Sequence, residues 1–473
     1  MKGDCFTNRE QKDMSNLHTH DNKRSSFSGK LGYVLSAAGA SVGLGNIWRF
    51  PYLAAKYGGG IFLLIYILLA LTFGYTMIMA ESALGRMTRK SPGGAFQAFG
   101  KAGWLSAGGW INAIIPVLIV PYYSVIGGWV IKYLIEYIRG NGKMLAADGY
   151  FSEFISDGVS TELCFILFCL FTLTIIYAGV RNGIERVSKF MMPILIVLSV
   201  LIAVYSVTRP GAMEGVKYFL VPNVKNFSWM TVVAAMGQMF YSLSIAMGIL
   251  ITFGSYMKKE TSLEDSTRNV EVFDTAIAIM AGLMIIPAVF SFSGGDPDTL
   301  QAGPALMFIT IPKVFENMGF GTVVGILFFL LVLFAAVTSS IALTESAVST
   351  FEDELGWSRR RATVLVGVIM IALGSLSSLG YGPLAGIKII GMQFLDFFDF
   401  LTNSVMMPIA AMLTSLFVSR IVGMKRMEEE IMHGESTFRR KKIFIVMIKY
   451  LCPVFALIIL ISSVANAFGW IAM

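Results

Sequence analysis

The sequence is poor in charge. Asp, Glu, Lys and Arg supply 14% of its 473 residues, against 55% hydrophobic ones, where a soluble domain carries about 25% charge. So little polar surface cannot cover a water-facing body, which excludes a soluble multidomain protein, a disordered chain and a nucleic-acid binder. Cysteine is scarce as well. Cys5, Cys164, Cys169 and Cys452 form no CxxC pair and no metal spacing, which argues against a disulfide scaffold and a zinc module. Cys164 and Cys169 lie in an apolar run and read as small buried hydrophobes. Histidine is confined to His18, His20 and His433, all in polar stretches, and His18-Thr-His20 reads as solvated tail before metal site. The sequence has no Gly-rich phosphate loop, no GxSxG nucleophile and no His/Cys/Asp cluster, so an enzyme finds no support. The first 30 residues lack an apolar stretch, and no cleavable signal peptide is expected in them.

What the chain has is long apolar runs. A helix needs roughly 20 apolar residues to span a bilayer, and eleven segments qualify: 31–53, 61–84, 104–136, 163–179, 187–207, 229–256, 271–293, 319–351, 361–379, 391–420 and 444–470. The expected fold class is therefore an all-α polytopic membrane protein embedded in the lipid bilayer. Eleven passages place the termini on opposite sides. With residues 1–30 as a cytoplasmic tail, most of the 37 Lys and Arg residues gather on that side, including Arg86, Arg89, Lys90, Arg359–Arg361 and the Arg439–Lys442 run. The C-terminus is then extracellular. The net charge of +7 thus reads as membrane orientation and not as a polyanion footprint.

Segments 1 and 6 are unusual spans. Segment 1 carries Gly39, Gly43, Gly45 and Pro51 with Ser41, Asn46 and Arg49; segment 6 carries Gly237, Gln238, Ser242, Ser244, Gly248 and Gly254. Small residues can simply permit tight helix packing. Broken helices are the other reading, and lipid tolerates freed backbone groups only where they line a cavity or ligand site. The interruptions fall in the first and sixth of an apparent five-plus-five arrangement, which is the layout of an inverted-repeat carrier with its site at the repeat interface. On this reading residues 31–207 form the first five-helix repeat and 208–228 an extracellular connection. Residues 229–420 form the second repeat, 421–443 a cytoplasmic loop, and 444–473 an extra eleventh helix with a short tail.

Several motifs resemble one family. Gly39-Ala-Ser-Val-Gly-Leu-Gly-Asn-Ile-Trp-Arg-Phe-Pro51 is similar to the signature of the neurotransmitter:sodium symporters. So are Tyr57-Gly-Gly-Gly60, Glu81-Ser-Ala-Leu-Gly-Arg86, the Tyr122-Tyr123 pair, Gln238-Met-Phe-Tyr-Ser-Leu-Ser244, Thr338-Ser-Ser340 and Phe351-Glu-Asp-Glu354. Eleven segments, where animal members have twelve, resemble the bacterial branch and imply a bacterial-type inner (plasma) membrane. The resemblance implies a symporter that imports hydrophobic or aromatic L-amino acids by alternating access, coupled to two sodium ions. A proton-coupled carrier, or a channel on the same fold, is the alternative.

By resemblance, the first ion (Na1) is held by the Ser41 carbonyl, Asn46, Ser242, Asp274 and the substrate carboxylate. The second (Na2) is held by carbonyls of Gly39, Val42 and Ala335 and hydroxyls of Thr338 and Ser339. The Thr338-Ser339 pair has a bland alternative, since such hydroxyls also satisfy carbonyls one turn back in their own helix. Asp274 stands where many relatives carry Asn, and Ala278 one turn further along. A carboxylate beside a cation supplies the negative charge that chloride supplies elsewhere, so no chloride is expected; a structural pairing of Asp274 with Arg268 is the other reading. Gly43 stands where amine-selective relatives place an aspartate, so the ligand must bring its own carboxylate. Its partners are expected in Tyr123 and the amides near Leu44 and Gly45, and its ammonium near carbonyls of Ser41, Tyr241 and Ser244. Ile119, Tyr241, Ser244, Met247, Ser339 and Leu343 would complete the pocket. Met247 could instead be ordinary core filler.

The resemblance also implies gates. Arg49 is expected to pair with Asp399, or with Asp396, above a lid of Tyr123 and Tyr241. At the other end Arg24 is expected to pair with Asp353, with Phe27 and Tyr256 packed nearby. Gly183 and Pro193 in segment 5 either let its end unwind or mark a proline kink.

Overall fold

The computed structural model describes residues 24–100, 103–293, 303–435 and 437–470. Cys5, His18, His20, most of the expected N-terminal tail and residues 471–473 lie outside them. Among the described residues the chain is helical, with two isolated bridges, Gly59–Pro222 and Ile389–Met392, in place of any sheet. Nine continuous helices among those residues are long and apolar enough to cross a membrane: Gly60–Thr88, Gly103–Ile138, Gly158–Tyr177, Val180–Val207, Leu263–Ser293, Gly321–Leu355, Arg359–Leu379, Phe394–Ile431 and Lys441–Ala467. They are segments 2–5 and 7–11. Segments 1 and 6 are each broken, as Lys30–Ser41 with Gly45–Lys56 and as Trp229–Ser242 with Ile249–Ser255. The all-α, eleven-segment reading with broken segments 1 and 6 therefore stands.

Hydrocarbon demands that backbone polar groups pair internally, and the helices meet that demand while turning apolar side chains outward. Leu163, Val204 and Ile461 are 69%, 60% and 61% exposed, a surface suited to lipid. The interior is closed by small residues. A Cβ added at Gly85 would meet the Ile251 carbonyl at 1.9 Å, and one at Gly254 the Ser82 carbonyl at 2.4 Å, so segment 2 and the second half of segment 6 touch backbone to backbone.

Several boundaries differ from the sequence reading; segment 4 starts at Gly158 and segment 7 at Leu263, ahead of the expected 163 and 271. Segment 10 does not stop at 420: it continues as a helix to Ile431, so about the first half of the expected 421–443 loop is helical. The extension is amphipathic; it buries Met427 and Ile431, and Glu430 Oε1 pairs at 2.6 Å with Arg86, a wholly buried guanidinium. Segment 5 starts earlier, with a π-helical turn at Val180–Glu185, and runs on as a helix past Pro193. At the end of the bundle carrying Arg49, short helices Gly142–Leu145, Tyr150–Ser156 and Leu306–Glu316 cover segment 3. There Phe151 stacks on Phe308 at 5.1 Å and meets Trp129 edge-on at 5.3 Å.

Candidate functional site

The two breaks face each other at the centre of the bundle. In segment 1 the helix ends at Ser41, and Val42 is extended at φ −75°, ψ 90°. In segment 6, Ser244, Ala246 and Gly248 take φ of 52°, 59° and 69°. Left-handed backbone is costly for a residue with a Cβ, so neighbours must hold it. Ser244 Oγ donates to the Ala40 carbonyl at 3.0 Å, and the Ala246 amide donates to the buried Glu81 carboxylate at 2.8 Å. Gln238 Nε2 donates to the Gly45 carbonyl at 3.0 Å. Freed backbone groups thus find partners in neighbouring helices.

Between the breaks lies one cavity of about 30 Å³. Ser41, Leu44, Gly45, Ile119, Tyr123, Tyr241, Ser242, Ser244, Met247, Ser339 and Leu343 all line it, joined by Ala40, Gly43, Asn46 and Ile249. Every residue expected at a substrate site is therefore brought to one place. Among the described residues no charged side chain lines the cavity, and the Tyr123 hydroxyl is buried there beside Ser339 and the Leu44 backbone.

Beside the cavity, Asp274 is fully buried and gathers polar side chains from three segments. Its Oδ1 accepts from Asn46 Nδ2 and Ser242 Oγ, each at 2.8 Å, and its Oδ2 accepts from the Tyr66 hydroxyl at 3.0 Å. Arg268 pairs with Asp265 at 3.5 Å, which removes the Asp274–Arg268 alternative. Ser41 lines the cavity, its hydroxyl returning to the Ala37 carbonyl at 3.1 Å.

A second polar group sits where segment 8 crosses segment 1. Ser339 Oγ lies 3.3, 3.1 and 3.5 Å from the carbonyl oxygens of Gly39, Ala40 and Val42. Thr338 Oγ1 stays within its own helix, donating to Phe334 at 2.9 Å and Ala335 at 3.2 Å. Thr338 thus back-bonds within its helix, as the bland reading of the pair has it, and Ser339 reaches across to segment 1.

The charged ends differ from each other. Arg24 forms an ion pair with Asp353, donates to Ser255 and Ser349 and lies over the Tyr256 ring at 5.0 Å. Phe27, 1% exposed, packs edge-on against Tyr256 at 6.0 Å, and the Ser91 amide donates to the second oxygen of Asp353 at 2.6 Å. At the opposite end the expected Arg49–Asp399 pair is not formed. Arg49 lies over the Tyr241 ring at 5.2 Å, Asp399 accepts from Asn403 at 2.6 Å, and Asp396 accepts from Tyr381 at 3.2 Å. The aromatic ring and a neutral amide compete for the two charges, and each is satisfied without the other.

Tyr66, Glu81 and Asn403 were not singled out from sequence as site residues. Tyr66 had a signal: a hydroxyl in the middle of an apolar span must find a buried partner. Glu81 likewise is an acid at membrane depth, a default mark of function.

Comparison with known proteins follows from this geometry. Residues 24–145 and 151–469 match the model of the sodium:neurotransmitter symporter family. The uncharacterized sodium-dependent transporter YhdH of Bacillus subtilis is 34% identical over 87% of this chain and 91% of its own. An uncharacterized sodium-dependent transporter of Haemophilus influenzae is 32% identical over 94% and 100%. The human sodium- and chloride-dependent GABA transporter 2 is 27% identical over 86% and 75%. The crystal structure of MhsT in complex with L-phenylalanine shares the fold at a TM-score of 0.83 and 35% identity, covering 93% of this chain and 100% of that one. A multi-pass helical membrane protein with these relatives is a sodium-coupled transporter, and the chain belongs to the sodium:neurotransmitter symporter family.

Proposed function

We propose that the protein imports hydrophobic or aromatic L-amino acids together with two sodium ions and without chloride. The observation that carries this reading is the cavity itself: one apolar chamber without charge, walled by two broken helices, with the Asp274 cluster at its side. A zwitterion entering it meets the Tyr123 hydroxyl and the amides near Leu44 and Gly45 with its carboxylate, at the positive end of a half-helix. Its side chain lies among Ile119, Tyr241, Met247 and Leu343. A cavity this narrow must widen to take an aromatic ring, and the flexible Met247 thioether suits that demand. MhsT holds L-phenylalanine, which supports the same ligand class here.

Sodium is a hard cation that takes oxygen ligands, and both polar clusters offer them. At the first, Asp274 stays as a ligand while Asn46 turns its oxygen inward and Ser242 exchanges its bond to Asp274 for the ion, with the Ser41 carbonyl and the ligand carboxylate completing the shell. At the second, Ser339 gives up its bonds to the Gly39 and Val42 carbonyls, and Thr338 and the Ala335 carbonyl join them around the ion. Asp274 supplies the negative charge that chloride-dependent relatives take from solution, and Ala278, one turn on, offers no ligand of its own.

Arg49 with Asp399, over Tyr241 and Tyr123, forms the outer lid; Arg24, Asp353, Phe27 and Tyr256 form the inner latch. The N-terminus then lies in the cytoplasm and the C-terminus outside, as the basic residues require. Each sodium moving down a tenfold gradient releases about 1.4 kcal/mol, and about 2.3 more per 100 mV. Two ions give roughly 7 kcal/mol, enough to concentrate a zwitterion on the order of 10⁵-fold.

The test is uptake of radiolabelled phenylalanine, tryptophan and leucine into proteoliposomes under an imposed sodium gradient, with gluconate replacing chloride. Saturable uptake that needs sodium and ignores chloride supports the reading. Uptake lost without chloride sinks the role of Asp274, and sodium-dependent uptake of none of the three sinks the substrate class.

A further inference from the structure

Asp399 is held by groups that are not its expected partner. Asn403 Nδ2 donates to its Oδ1 at 2.6 Å, and the Tyr122 hydroxyl donates to the same oxygen at 3.3 Å. Tyr122 is 1% exposed, and its hydroxyl is itself fixed by Asn403 Nδ2 at 3.2 Å and by Thr402 Oγ1 at 3.3 Å. Asn403 and Thr402 both stand in the π-helical turn Phe400–Met406 that follows Asp399, a local geometry frequent at functional sites. The Asn403 carbonyl oxygen is buried and has no hydrogen-bond partner. A buried acceptor left unpaired is costly, and an asparagine serving only as polar surface would turn that oxygen to water. Asn403 instead keeps its amide on Asp399 and Tyr122.

We propose that Asn403 is a positioning residue of the outer lid: with Tyr122 it holds the Asp399 carboxylate away from Arg49, and the lid closes by exchanging the Asn403–Asp399 bond for the Arg49–Asp399 ion pair. This rests on the reading of Arg49 and Asp399 as the lid. It also ties the lid to the ligand. Tyr122 and Tyr123 are consecutive on segment 3, so a ligand that engages the Tyr123 hydroxyl acts on the same helical turn that carries the Asp399 cradle. Arg49 meanwhile rests over Tyr241, ready to swing once Asp399 is released.

The experiment uses the full chain in lipid nanodiscs with saturating sodium. One readout is the rate at which bound tritiated L-phenylalanine dissociates. The other, made without amino acid, is hydrogen exchange in peptides covering residues 45–56 and 394–406. Loss of one hydrogen bond to a charged group should shift the exchange between states roughly tenfold. Asn403→Ala is therefore expected to slow dissociation by about that factor and to protect both peptides, with Asn403→Ser, which keeps a hydroxyl donor, in between. In an Asp399→Asn background, Asn403→Ala should add nothing. Unchanged or faster dissociation in both Asn403 variants, while Arg49→Gln alters it, overturns the role of Asn403. Equal slowing in the Asp399→Asn background overturns it too, because the effect would then be structural. If Arg49→Gln and Asp399→Asn both leave dissociation and exchange unchanged, the lid reading fails, and the proposal with it. Should phenylalanine not bind, the exchange of the two peptides decides alone.

Discussion

The Ser339 hydroxyl donates to the Ala40 carbonyl at 3.1 Å, so one side chain of segment 8 closes the break in segment 1. The same oxygen stands 3.3 and 3.5 Å from the carbonyls of Gly39 and Val42. Ser339→Ala removes this bridge together with a ligand of the proposed second ion site, and leaves buried carbonyls unpaired at about 1–3 kcal/mol. It should lower sodium affinity at least tenfold and also lower the melting temperature. Thr338→Ala should lower sodium affinity with little thermal effect, because the Thr338 hydroxyl returns to its own helix at Phe334. Sodium-22 binding and thermal melts on both variants check the contrast. Equal thermal losses would show that Ser339 has no special bridging role.

Among the described residues Asp274 is the carboxylate of its cluster, so its charge should set the anion requirement. Asp274→Asn keeps a similar shape and a hydrogen-bonding group toward Asn46 and Ser242 while removing the charge. A hydrogen bond to a charged group contributes about 1.5–3 kcal/mol, so sodium affinity should fall by roughly ten- to a hundredfold, and the remaining uptake should rise on adding chloride. Sodium titrations in chloride and in gluconate give the answer, and an Asp274→Asn protein with unaltered sodium dependence would remove Asp274 from the ion site.

Gly43 leaves no room for a side chain. A Cβ there would lie 2.7 Å from Ser339 Oγ and 3.3 Å from the Tyr123 hydroxyl, and contacts this short force a neighbour to shift. Gly43→Ala should therefore weaken amino-acid binding about tenfold or more, and Gly43→Asp should abolish it by placing an unpaired anion where the ligand carboxylate goes. Competition binding with labelled phenylalanine measures both. Wild-type affinity in Gly43→Ala would mean that the ligand sits elsewhere.

Much of this site was legible before any coordinates. The glycines with Ser41, Asn46 and Arg49 inside an apolar span suggested that segment 1 is broken, because lipid tolerates freed backbone groups only at a cavity or site, and family resemblance singled out the Thr338-Ser339 pair. What sequence could not supply was competition between neighbours. Arg49 and Asp399 are complementary charges at suitable positions, yet the Tyr241 face and the Asn403 amide satisfy them separately, and the choice depends on side-chain geometry. Segment 10 was cut at 420 because its polar Met424–Ile431 extension loses hydropathy. The burial of Met427 and Ile431 and the Arg86–Glu430 pair hold that extension in helix, and both arise only from the folded neighbours.

The inner latch gives the last prediction. Arg24 reaches Asp353, Ser255 and Ser349 at once and lies on Tyr256, so it ties the stretch before segment 1 to segments 6 and 8. Tyr256 in turn donates to the buried Glu345 at 2.7 Å. Arg24→Ala leaves the Asp353 carboxylate with the Ser91 amide as its remaining partner and frees Phe27 from the Tyr256 backbone, to which its amide donates at 3.1 Å. Removing one partner of a partly buried pair costs more than an exposed one, on the order of 3 kcal/mol, so the inner face should open on the order of 100-fold more often. Net uptake should fall while sodium-independent leak of preloaded phenylalanine rises, and peptides covering residues 24–41 should exchange hydrogen faster. Asp353→Asn should reproduce the effect in weaker form, since an amide still accepts from Ser91. Unchanged leak and exchange in Arg24→Ala would show that Phe27 and the surrounding aromatic packing close the inner face without the ion pair.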